Sequence, residues 1–190
     1  MADLSGALQV LRIAQPLQGA NVSSQYNATI GYQSLVDPAE QFIGIEIGLR
    51  EPHLTEPIQG TAQTIVQHPF SGQPLVAGRS VRCLSRLEAI AEKLRAALCR
   101  REIAIRDFFD VDHLTRHAGL NTADPALLDL VRRKLKIPGT GPVDVSAERM
   151  GQLGRQVDAQ LRPVLREREF ADFDLERAVE TVRAVARRMA

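Results

Sequence analysis

The stretch "SRLEAIAEKLRAALCRREIAIRDFFD", residues 85–110, decides how the chain is read. Ser85 with Glu88 three residues on is a capping-box pattern, the local signature of a helix start. Leu84, Leu87, Ile90, Ala91, Leu94, Ala97 and Leu98 recur at helical spacing and predict one amphipathic helix. A second helix is expected through "AIRDFFDVDHLTRHAG", stopping at Gly119. Arg86, Lys93 and Arg100 are seven apart and form a basic stripe along the Ala97 edge of the first helix's apolar face. Long basic side chains on such a rim bury their stems and present charge to a cleft, where a phosphate chain is one suitable occupant. An ordinary solvated rim is the other reading, and spacing alone leaves both open. In the second helix, Asp107 and Asp110 are three apart and share a face, with Asp107 near the helix start, where a carboxylate is favoured. Asp110, Asp112 and His113 do not converge as a metal site, because positions one and two apart on a helix point in different directions.

Upstream, the texture changes. In "FIGIEIGLRE", residues 42–51, Ile43, Ile45, Ile47 and Leu49 take one strand face and Glu46 the other, between Gly44 and Gly48. Glycine inside a strand often marks close approach by a ligand or another backbone. Strands are expected at 25–33, 41–50, 60–67 and 79–84, and a short helix at 4–15 before Pro16. Downstream, "DPALLDLVRRKLKIPG" predicts a helix with Asp124 as N-cap and Pro125 at its first position, ended by Pro138-Gly139. Further helices are expected at 146–166, kinked or ended early by Pro163, and at 174–188, capped by Asp172 or Asp174. The resulting class is α+β: a small, partly antiparallel sheet followed by a C-terminal helical bundle. The parts are a β-rich region over 1–84 and a helical region over 85–190 packing on it.

Composition narrows the partners. The 190 residues are 44% hydrophobic and 25% charged, with a net charge of +1. Tryptophan is absent and aromatics are 4%, which argues against a nucleic-acid reader built on stacking platforms. "VRRKLK", with Arg132, Arg133, Lys134 and Lys136, is the densest basic run and is expected to be a solvent face. Cys83 and Cys99 fall roughly 20 Å apart if one helix joins them, so reduced thiols and a cytoplasmic setting are expected. No apolar run reaches the length of a membrane span. The histidines His53, His68 and His117 have no partner at metal-ligand spacing, and there is no P-loop and no GxGxxG.

The ordered set "IGIEI", "VRCLSRLEAIAEKLRAAL" and "RREIAIRDFFDVDHL", over about residues 40–118, resembles the C-terminal half of the AbiEii/AbiGii-type nucleotidyltransferase toxin family. The resemblance implies an incomplete nucleotidyltransferase core, with NTP and Mg²⁺ as ligands if the chain is active. By position it makes Glu46 the strand acid that helps hold the metal. It sets Lys93 and Arg100 against nucleotide phosphates, and places Arg106, Asp107 and Asp110 as the "RDxxD" wall of the site. The family's Gly-Ser and Asp-x-Asp motif has no counterpart before these strands, since Asp110/Asp112 and Asp172/Asp174 are the only Asp-x-Asp patterns and lie in the helical half. Two-metal phosphoryl transfer needs several carboxylates on rigid neighbouring strands. The expectation is therefore a truncated or catalytically degenerate nucleotidyltransferase with residual NTP and Mg²⁺ binding, its standing as an enzyme open. The alternative is a non-catalytic interaction module, acting as a homodimer or by binding a toxin–antitoxin partner.

Overall fold

The computed structural model describes residues 11–20, 24–33, 39–49, 51–64 and 66–189. The chain divides into two compact units, residues 1–52 and 53–190. The change of texture at residue 84 therefore does not coincide with the division between units, because the last two strands belong with the helices.

The first unit carries an antiparallel sheet in the order β1 (Leu11–Ala20), β2 (Gln25–Gln33), β3 (Glu40–Gly48). The alternation read in the sequence sets the register: Ile30 of β2 faces both Ile13 and Ile43, and Asn27 faces Glu46. A helix over 4–15 is not what forms across residues 11–15, which belong to β1; residues 4–10 lie outside the described residues. Pro16 is compatible with the strand because β1 is at the sheet edge and its pairing with β2 shifts register between Gln15 and Gln18. Gly31 has a clear task. A Cβ there would come 2.6 Å from Glu40 Oε1, so its bare backbone makes room for the Arg12–Glu40 ion pair on that face.

In the second unit, β4 (Ile58–Ala62) and β5 (Arg79–Cys83) form an antiparallel hairpin, with Ile58 opposite Cys83. Every sheet ladder among the described residues is antiparallel. Then follow α1 (Arg86–Cys99), α2 (Ile105–His117), α3 (Pro125–Leu135), α4 (Ala147–Gly151), α5 (Gly154–Gln156), a π-helical turn (Val157–Leu161), α6 (Glu167–Asp172) and α7 (Leu175–Met189). The predicted apolar stripe of α1 enters the core through Leu94 and Leu98, where Phe108 and Val111 of α2, Val131 of α3 and Val182 of α7 are buried with it. Leu84, read as part of the α1 stripe, is instead exposed.

Local signals set most helix ends. Asp124 Oδ1 accepts from the Ala126 N–H at 2.9 Å, and Asp174 Oδ1 from the Arg177 N–H at 2.9 Å, which settles the cap of α7 on Asp174. Gly119 takes φ 62°, and the chain folds back so that the Leu120 N–H reaches the Leu114 carbonyl. The single helix expected over 146–166 is broken up instead. Ser146 caps α4, and the π turn is closed by the Arg162 N–H on the Val157 carbonyl at 3.3 Å, immediately before Pro163. Proline has no N–H to continue the ladder, so it ends the helix rather than kinking it.

Candidate functional site

The α1 and α2 helices run in opposite senses and bring the predicted basic stripe against the predicted acid pair. Lys93 Nζ lies 2.6 Å from Asp110 Oδ2, and Arg100 Nη1 lies 3.2 Å from Asp107 Oδ2. These are two rungs between the same two helices, spaced by two turns of α1, about 10 Å. The third member of the stripe, Arg86, donates instead to the Ala118 carbonyl at the end of α2. The Lys93 side chain is 46% exposed and that of Arg100 36%, whereas Asp107 is buried. The rungs thus hold two cationic heads at the surface from anchors of unequal depth.

Asp107 is the unusual member. Burial pushes its carboxyl above the ordinary aspartate range, against the pull of Arg100, Lys93 and Arg106. Its Oδ2 is inaccessible to water and makes no hydrogen bond despite the nearby guanidinium. For a raised carboxyl, the neutral form is favoured by folding, so ionisation works against stability as pH rises through its range. Asp107→Asn is therefore expected to leave thermal stability at pH 7 unchanged or slightly raised. A fall in Tm of more than about 3 °C, on the order of 1 kcal/mol for a chain of this size, would show that the Arg100 contact dominates.

The entry to α2 was not legible locally. Ala104 at the N-cap has no side chain for capping; Gln156 of α5 supplies the bond, its Oε1 accepting from the Ile105 N–H at 2.9 Å. The same amide donates Nε2 to the Ile103 carbonyl at 3.1 Å. Asp112 leaves the surface altogether: it is buried and takes both arms of Arg177 on α7, at 2.6 and 2.8 Å. Asp110, Asp112 and His113 therefore face three different partners, as helix geometry required: Lys93, Arg177 and the Phe109 ring. His113 and His117 are four apart on α2, a spacing the sequence reading overlooked, and their rings lie 4.8 Å apart, tilted by 43°; His117 Nε2 is 3.2 Å from Asp172 Oδ2, beside a cleft of about 550 Å³ between α2 and α6.

A second buried charge network was missed. Glu88 makes half of its expected capping box: the Ser85 Oγ accepts from the Glu88 N–H at 3.1 Å. Its carboxylate turns inward instead. It accepts from the Leu54 N–H at 2.9 Å, from the Thr55 N–H at 2.8 Å and hydroxyl at 2.6 Å, and from Lys134 Nζ at 2.9 Å. Burial alone would raise this carboxyl, but the hydrogen bonds from Leu54, Thr55 and Lys134 bring it down to about 2. Lys134 is thus buried rather than part of a solvent face, and Arg132 and Arg133 donate to the Arg188 and Leu54 carbonyls. A signal existed: Glu88 and Lys134 both fall on the apolar stripes of their helices and carry opposite charge.

Glu46 sits in the other unit. It is exposed on β3, and a Cβ at Gly44 or Gly48 would meet nothing within 4 Å. The glycines leave open space about it and are not set there by close packing. Among the described residues no group of three His, Cys, Asp or Glu side chains is placed to hold a metal ion. Asn27, opposite Glu46, cannot supply the charge of a second carboxylate. The described residues therefore do not fit a Mg²⁺ site.

With this geometry in place, the likeness to known proteins is specific. The family model described as "Nucleotidyl transferase AbiEii toxin, Type IV TA system" matches residues 5–188. The chain belongs to the AbiEii family. Membership covers both units and includes the α1–α2 rungs and the β3 glutamate. No curated protein matches the chain. Two crystal structures are similar to this AbiEii-family chain. One is a candidate nucleotidyltransferase from H. pylori, at 16% identity and a TM-score of 0.44, covering 95% of this chain and 67% of its own. The other is JHP933 from Helicobacter pylori, at 17% identity and a TM-score of 0.43, covering 94% and 62%. The chain thus spans about two thirds of the length of either. No helix among the described residues is long and apolar enough to cross a membrane.

Proposed function

We propose that the chain binds a nucleoside triphosphate through its phosphates on the α1–α2 face, and that the described residues bind the nucleotide without transferring it. The observation that carries this reading is the pair of rungs, Lys93–Asp110 and Arg100–Asp107, in a chain of a nucleotidyltransferase family. The Lys93–Asp110 pair is largely exposed, so it is worth at most about 1 kcal/mol and yields readily to a better anion. Until then Asp110 holds the lysine stem extended, which lowers the ordering cost of binding. Arg100 offers a planar fork to phosphate oxygens. Asp107 behind it is buried and lies 3.2 Å from the Arg100 guanidinium, so it positions that fork from the protein side. The transfer step lacks a cluster of metal carboxylates among the described residues: the other acid on the Glu46 face of β3 is Glu40, six residues along the strand and paired with Arg12.

Thermal shift with ATP, GTP, CTP and UTP, each with Mg²⁺, tests this directly. At least one is expected to raise Tm, and Lys93→Ala is expected to remove most of the rise. No rise with any of the four would refute the proposal.

One feature favours a second reading, in which the sheet of the first unit docks on a protein. Ile13, Ile43, Ile45 and Ile47 share one face and are 37–73% exposed. Such a face, with strand edges at β1 and β3, suits an antitoxin or a second copy of the chain. Light scattering showing a clean monomer that binds no partner would count against it.

A further inference from the structure

The C-terminal end of α1, the "KIPGTGP" turn and the first turn of α4 enclose a second cavity, of about 450 Å³. Arg95, Arg100, Arg101 and Arg149 line it against a single acid, Asp144. The turn shapes one wall. Gly139 adopts φ 85°, and a Cβ on Gly141 would come 3.1 Å from the Cys99 carbonyl, so bare backbone lies against the end of α1. Asp144 is bound into the same turn, its Oδ1 accepting from the Ser146 N–H at 2.9 Å.

Arginines at a helix C-terminus have an ordinary purpose, the capping of exposed carbonyls, and one of the four serves it: Arg149 donates an Nη2–H to the Arg100 carbonyl. Capping does not account for the rest. The Arg149 Nε–H is inaccessible to water and has no hydrogen-bond partner among the described residues. Arg101 is exposed and forms no ion pair among them. Arg95 is held in place by Glu92, with Nε 3.2 Å from each carboxylate oxygen, so its guanidinium is fixed. Glu92 and Asp107 offset the charges of Arg95 and Arg100, which leaves the exposed Arg101 and the unpartnered Arg149 Nε–H as the groups that an anion in the cavity would join.

We propose that this cavity is a phosphoryl-binding site, separate from the Lys93 rung. The guanidinium fork matches two phosphate oxygens at once, and converging arginines select phosphate over carboxylate by charge. Arg100 borders both sites; Arg95, Arg101 and Arg149 belong to this one. A nucleotide tail and the backbone of a nucleic-acid strand present the same group. The proposal stands on the cavity and does not require nucleotide binding at Lys93.

The test is calorimetric titration of three probes, sodium pyrophosphate, ATP and a 12-nucleotide single-stranded RNA, into proteins carrying Lys93→Ala, which weakens the other site about tenfold. Adding Arg101→Gln, an exposed position, is expected to weaken pyrophosphate at least about fivefold with Tm unchanged, and adding Arg149→Gln to weaken it further. Whichever of ATP and RNA loses affinity in step identifies the source of the phosphate. If it is RNA, the slope of log K against log salt falls by about 0.7 for each arginine removed. Pyrophosphate affinity that changes less than fivefold in Lys93→Ala/Arg101→Gln/Arg149→Gln, or no binding of any probe to Lys93→Ala, would overturn the site. Failure of the Lys93 reading would show instead as unchanged ATP binding between wild type and Lys93→Ala.

Discussion

Replacing Glu88 with alanine is expected to destabilise the helical unit by about 3–5 kcal/mol, read as a lower urea midpoint at pH 7. The carboxylate is fully buried, and its loss strands three groups at once: the Leu54 and Thr55 N–H groups and the Lys134 ammonium. Glu92 stays 3.4 Å from Lys134 and offsets part of the loss. The double replacement Glu88→Leu/Lys134→Met removes both charges and is expected to recover only the part of the loss due to the stranded ammonium, since the Leu54 and Thr55 N–H groups stay without an acceptor. The same network sets an acid limb. With its carboxyl held at about 2 against an ordinary value near 4.5, Glu88 contributes about 3 kcal/mol above the ordinary value. That contribution is lost as pH falls from about 4.5 to about 2, because the unfolded chain takes up the proton first. Denaturation followed against pH should show this limb in the wild type and a flatter one in Glu88→Gln. Equal limbs would remove Glu88 as its source.

Phe108→Ala is expected to cost about 3–5 kcal/mol, the range for truncating a fully buried aromatic ring. Phe108 is completely buried beside Ile105 and Val111 on the core side of α2, next in sequence to Asp107. The void would open directly behind the rungs. Phe108→Leu keeps most of the volume and should cost under half as much. The pair of values, measured by urea unfolding with an unchanged m, separates a packing loss from a change in the unfolded chain. A cost below about 1 kcal/mol for Phe108→Ala would mean that the core tolerates collapse there.

Where one element carried its own pattern, the sequence was readable. Strict alternation around Glu46 placed β3 and its face, and Asp124-Pro125 with Pro138-Gly139 bracketed α3. Residues 11–15 misled because their apolar spacing suits a helix as well as an edge strand, and only pairing with β2 decides between them. The 146–166 segment misled because no local signal announced a π turn ahead of Pro163. The site was half legible. Lys93 and Arg100 stood out on one helix and Asp107 and Asp110 on the next, but their pairing is a product of helix packing, and single-helix periodicity does not contain it. Gln156 capping α2 from 51 residues away is of the same kind. Glu88 and Lys134 were legible in principle, as opposite charges on two apolar stripes.

The central claim is that the α1–α2 face binds nucleotide phosphates through Lys93 and Arg100. Its most direct test is calorimetric titration of each nucleoside triphosphate, with Mg²⁺, into the wild type, Lys93→Ala and Lys93→Ala/Arg100→Gln. Binding of at least one nucleotide is expected, weakened about tenfold in Lys93→Ala and further in the double variant, with Tm in the absence of nucleotide within a few degrees of the wild type. A nucleotide that binds all three proteins with equal affinity, or a wild type that binds none, would contradict it.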